Sequence, residues 1–290
     1  MAMNSRKTLK YNGWTDDIVF CQPDIVYSER GGRKLKLHLV MPMDIHYAKK
    51  NGYNIDRTFP LVVYAKGSAF THPEYSEAIG RACRIAEHGF IVAMIEYSNI
   101  LEGNTILDTC IDYKTAIRYL RAHAGEYYIN ADKVAAWGTS SGGTDALFAA
   151  LTGDFPKYKT AEYYEFSDSV DVVVDINGPS ELRQIFFSDT PLAKFFRSQW
   201  ETNGTPKDPK QQCDEASPLF FVDDRKLPPM MIVHGTEDPI VPFSQSEKLF
   251  QKLTEKKQEA TFFAVEGAGH GSAFTSEVLE AGVEFIRKHL

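Results

Sequence analysis

The chain has 290 residues, 43% hydrophobic, 12% aromatic and 24% charged, with a formal net charge of −7. That length supports one or two domains with a core large enough to need no disulfide or metal staple. The aromatic content excludes a disordered chain, and the acidic balance argues against a nucleic-acid binder, which needs a basic face.

The opening stretch MAMNSRKTLKYNGWTDD has no apolar core of the signal-peptide type, so the expectation is a cytoplasmic protein. No run approaches 18 apolar residues, and no membrane association is expected. The basic stretch Arg30–Lys36 contains a double glycine and reads as a hairpin turn between strands at 24–28 and 34–41. Strand and helix signals then alternate. Strands are expected at 60–65, 90–95, 133–137, 171–175, 230–233 and 260–265. Helices are expected at 74–88, 106–124, 143–151, 244–256 and 278–289. Short apolar strands separated by helices predict a mostly parallel sheet covered on both faces, with antiparallel strands at its start.

One connection is too long for a crossover. Residues 179–218 carry Phe186, Phe187, Phe195, Phe196 and Trp200 and then the stretch TPKDPKQQ, so a small cap inserted into a single domain, 1–290, is expected. Cys21, Cys83, Cys110 and Cys213 lie far apart without a CxxC pair, which predicts reduced thiols and neither a metal site nor a redox motif. Cys83 and Cys110 fall in helical patterns and read as small core residues.

The segment Gly138-Thr139-Ser140-Ser141-Gly142 has the form G-x-S-x-G, with the strand VAAW leading in and the helix TDALFAALT leading out. A sharp strand-to-helix turn needs glycines two before and two after its serine and lifts that hydroxyl above the sheet. Centring the turn on Ser141 would put the β-branched Thr139 at the first glycine position, so Ser140 is the expected nucleophile. A serine needs a base, and the order in this arrangement is serine, acid, histidine. Only His270 and His289 follow the candidate acids. His289 ends the closing helix, whereas His270 sits in the loop GAGHG just past the last strand. Asp238, after MMIVHGTE, is the expected acid, with Glu237 and Asp175 as rivals. Oxyanion donors are expected from the backbone of Ser141 and from Ser68 and Ala69 in the small-residue loop after PLVVYA. Phe70, Phe186, Phe195, Trp200 and Phe274 are candidates for a crowded aromatic substrate pocket that would favour acetyl to butyryl groups over octanoyl or longer, without interfacial activation.

These residues resemble the α/β-hydrolase superfamily. The likeness is strongest to its esterase branch with HGGGW-type oxyanion loops, which includes bacterial acetyl-xylan and feruloyl esterase-like proteins. It runs from about Pro23 onward and is carried by DYKTAIRYLRAHAGEYYINADKVAAWGTSSGG, by ASPLFFVDDRKLPPMMIVHGTEDPIVPFSQSEKLF and by VEGAGHG. It implies a doubly wound α/β fold, a Ser140–His270–Asp238 triad, no cofactor or metal, and small ester substrates such as acetylated sugars or aryl esters. The alternatives are an arylformamidase-like amide hydrolase and a non-catalytic binding protein on the same scaffold; homo-oligomerisation stays open. The chain departs from the pattern where Lys66-Gly67-Ser68-Ala69 replaces His-Gly-Gly-Gly, and where Ser98 replaces an arginine after Glu96-Tyr97.

Overall fold

The computed structural model describes residues 18–52, 55–203 and 208–290. The opening stretch and the start of TPKDPKQQ lie outside these residues. Eight strands form one sheet: β1 (Val19–Arg30), β2 (Arg33–Pro42), β3 (Phe59–Ala65), β4 (Ile91–Ile95), β5 (Ile129–Thr139), β6 (Val172–Ile176), β7 (Met230–Gly235) and β8 (Ala260–Val265). Their order is β1-β2-β4-β3-β5-β6-β7-β8. The pairs β1/β2 and β2/β4 are antiparallel, and every later pair is parallel.

Strand periodicity divides the core between the two faces. Leu61, Val63 and Ala65 of β3, with Val134 and Ala136 of β5, enter one cluster with Tyr113, Ile117 and Leu147. These last three come from α3 (Ile106–Ala122) and α5 (Ser141–Leu151). Val62, Tyr64, Ala135 and Trp137 point the other way. They pack with Ala82 of α2 (Ile79–Ala86) and Val283 of α10 (Ser276–His289).

The expected helix at 74–88 is shorter, because a 3-10 turn at Tyr75–Glu77 precedes α2. The first helix, Met43–Asn51, gave no periodic signal, since only Ile45 and Ala48 of it are buried. Cys110 is buried as expected, whereas Cys83 is half-buried and Cys21 exposed. Among the described residues, three α-helices, Leu182–Phe186, Pro191–Asn203 and Pro209–Glu215, and a 3-10 turn at Pro218–Phe221 lie between β6 and β7. Phe186, Phe196 and Trp200 from them join Phe70, Ile100, Ile106, Cys110 and Phe148 in a third cluster. Among the described residues no helix is long and apolar enough to cross a membrane.

Candidate active site

Parallel strands end together, so the loops after β3, β5, β6, β7 and β8 gather at one edge of the sheet. Ser140 stands where β5 turns into α5, with φ 53° and ψ −125°. A side chain is rarely held in that conformation, and the neighbouring glycines make it possible. A Cβ on Gly138 would collide with the Gly142 carbonyl, and one on Gly142 with the Ala65 carbonyl of β3. The glycine spacing read in the sequence is therefore a requirement of backbone contact.

His270 reaches Ser140 from the loop after β8. Its Nε2 lies 2.8 Å from Ser140 Oγ and its Nδ1 2.7 Å from Asp238 Oδ2. A carboxylate only accepts, so Nδ1–H donates to Asp238 and Nε2 is left to accept the Ser140 hydroxyl proton. Asp238 Oδ1 accepts from the Ile240 and Val241 N–H groups at 2.8 and 2.9 Å. Burial would raise this carboxyl, but hydrogen bonds from His234, His270 and the Val241 N–H outweigh burial and hold it well below the usual carboxylate range. His234 is itself fixed, 2.9 Å from the Val241 carbonyl and 2.7 Å from Ser246 Oγ.

The rivals stand elsewhere. Glu237 is exposed. His289 contacts Phe285 and Glu259. Asp175, next to last in β6, is fully buried, its Oδ1 accepting the Gly178 N–H at 3.1 Å. Burial raises its carboxyl to about 8, and that single bond offsets little of the rise. The folded chain thus keeps a proton that the unfolded chain releases near pH 4. The contribution is complete below about pH 4 and is lost as pH rises toward 8, at up to about 1.4 kcal/mol per pH unit. Asp175→Asn, which retains the acceptor, should flatten part of that decline. Urea midpoints of both proteins at pH 5 and pH 8 measure it, and an identical pH dependence would refute the assignment.

The oxyanion loop differs from expectation at one position. The Ser68 N–H, an expected donor, donates to Ser141 Oγ at 2.9 Å and is committed inside the protein. The cause is a buried hydroxyl cluster. The Tyr97 hydroxyl donates to the Lys66 carbonyl at 2.7 Å and lies 2.8 and 3.2 Å from the hydroxyls of Ser68 and Ser141. The N–H groups of Ala69 and Ser141 remain, and Ala69 and Phe70 both take positive φ, 56° and 60°, as the loop folds back toward the elbow. The Gly67 N–H is held by Thr139 Oγ1 at 3.0 Å.

A cavity of about 440 Å³ opens over Ser140 and His270. Of the five expected aromatic residues, only Phe274 lines it. Phe186 packs between Phe70 and Trp200, stacked 5.2 Å from Trp200 and tilted 5.9 Å from Phe70, and Phe195 is exposed. Large apolar rings bury more surface against each other than against a wet cleft, so they close their own core. The cavity's apolar wall comes instead from Ile176, Leu192 and Ile240.

Asn177 was not read from the sequence. It follows β6 at φ 55°, nearly buried; its Nδ2–H donates to the His270 carbonyl, and its Oδ1 accepts the Gly235 N–H at 3.3 Å. One amide thus joins the ends of β6 and β7 to the histidine loop. The Asn-Gly pair directly after an apolar strand was its only sequence signal.

A family model described as BD-FAE matches residues 43–253. Esterase LipC of Mycobacterium tuberculosis is 27% identical over 215 residues, covering 73% of this chain and 53% of LipC. The chain spans about half the length of the first curated relatives it matches. A truncated carbohydrate esterase from gut microbiota superposes with a TM-score of 0.76 at 22% identity, over 96% of this chain and 99% of that one. The Est2 esterase of Thermogutta terrifontis, with propionate bound, superposes with a TM-score of 0.74 at 22% identity, over 92% and 94%. At that identity the two structures speak for the fold, which is that of the α/β-hydrolases. With the family model matching well over half its length, the chain belongs to the BD-FAE family.

Proposed function

We propose that the chain is a serine carboxylesterase that cleaves small carboxylic esters with short acyl groups. The observation that carries this reading is the continuous hydrogen-bonded series Asp238–His270–Ser140, with links of 2.7 and 2.8 Å, opening on a cavity. Ser140 Oγ attacks the ester carbonyl carbon as its proton passes to His270 Nε2, and Asp238 stabilises the imidazolium. The carbonyl oxygen, now negative, lies against the N–H groups of Ala69 and Ser141. Collapse of the intermediate expels the alcohol, which takes the proton from His270. Water then repeats the sequence on the acyl-enzyme, and no cofactor enters.

Acyl length follows from the cavity wall. Ile176, Leu192 and Ile240 offer a few methylene-sized contacts, while Lys66, Glu77 and Arg81 would face a longer chain with charge. Leu192 comes from the 179–218 segment, which in this reading forms a cap over the site. Each methylene that fits gains about 1–3 kcal/mol at most. The expected kcat/KM along p-nitrophenyl esters therefore peaks between acetyl and butyryl, and a serine-directed fluorophosphonate abolishes it. A maximum at eight carbons or beyond would overturn the short slot, and turnover untouched by the fluorophosphonate would overturn the serine mechanism.

A further inference from the structure

The charges lining the cavity do not balance. Lys66 Nζ pairs with Glu77 at 2.7 Å and donates to the Gly67 carbonyl at 3.1 Å, so these two charges compensate each other. Arg81, the third charged residue there, lies half-buried with its guanidinium over the face of Phe274, 4.5 Å from the ring centroid. Among the described residues no carboxylate lies within ion-pair distance of it. Arg84, one turn along the same helix, pairs with Glu280 at 2.7 Å. The Arg81 guanidinium also interacts with the buried Tyr64 hydroxyl, and of its five N–H donors one such bond leaves an in-plane fork over. That fork matches a carboxylate in geometry and in charge. Ser140 and Arg81 line the same cavity, so one ligand filling it meets both.

We propose that Arg81 anchors a free carboxylate on the substrate, and that the site takes acidic esters, in which a second, un-esterified carboxyl lies a few bonds from the scissile carbonyl. This rests on the hydrolase reading for what happens to the ester, but the recognition can be measured without turnover. The Ser140→Ala protein, in which no acyl-enzyme forms, is titrated by calorimetry with monoethyl succinate and with neutral diethyl succinate. The monoester is expected to bind about tenfold tighter or more, as a charge-assisted bidentate contact implies. Adding Arg81→Gln should bring the ratio close to one. Arg81→Lys, which keeps the charge without the fork, should retain part of the preference and shows that the site still folds. Equal or tighter binding of the diester, undetectable binding of the monoester, or a preference that survives Arg81→Gln would each overturn the proposal. Wild-type turnover of neutral p-nitrophenyl acetate reports on the hydrolase reading alone, so the two failures are distinguishable.

Discussion

Ser140→Ala is expected to lower turnover of p-nitrophenyl acetate by about 10⁴ to 10⁶, leaving only what the oxyanion donors and binding supply. Its melting curve should stay close to that of the parent, because the Ser140 hydroxyl makes its one side-chain contact with His270 and alanine inherits the same positive φ without added bulk. Ser141→Ala is the matched control. It removes the acceptor of the Ser68 N–H and one member of the hydroxyl cluster, but leaves the His270 contact in place. Activity retained in Ser140→Ala and lost in Ser141→Ala would show the elbow to be centred one residue later.

Asp238→Asn should cost about 10⁴ in turnover with little change in substrate affinity. An asparagine amide can still accept from Ile240 and Val241, but it can offer an N–H toward His270 Nδ1. That favours the tautomer with its proton on Nε2, which cannot take the Ser140 proton. The variant also reports on stability. A carboxyl held below its usual range contributes stability that is complete above about pH 4 and is lost as pH falls through its lower folded value. The stability gap between wild type and Asp238→Asn should therefore be widest near neutrality and narrow in acid. A gap independent of pH would remove Asp238's hydrogen bonds as its cause.

The hydrogen-bonded arrangement of Ser140, His270 and Asp238 was legible in the sequence for a common reason. Each residue is bound to a local backbone event that leaves a compositional trace: glycines around a strained turn, and an acid or a histidine just past a short apolar strand. The eight-stranded sheet was legible through the same short apolar runs. Four of the five aromatic residues were not, because Phe186 and Trp200 could face the cavity or each other with identical spacing, and tertiary packing decided it. Ser68 was misread on similar grounds. Its N–H was available in any account that lacked Ser141 Oγ, 73 positions away. Arg81 and Glu77 flank a helix start, where a charged residue reads as solvated until the fold brings Lys66 and Phe274 beside it.

The Asn177 amide bears on when the histidine becomes ordered. The stretch from Gly267 to Gly271 holds three glycines, and a free loop of that composition explores many backbone conformations, each residue costing about 1–2 kcal/mol to fix. Tied through its His270 carbonyl to an amide that also holds the end of β7, the loop meets that entropy once, as the sheet assembles. Nothing of it is left for the moment a ligand arrives, so the imidazole is already held in place and the encounter need only position the ligand.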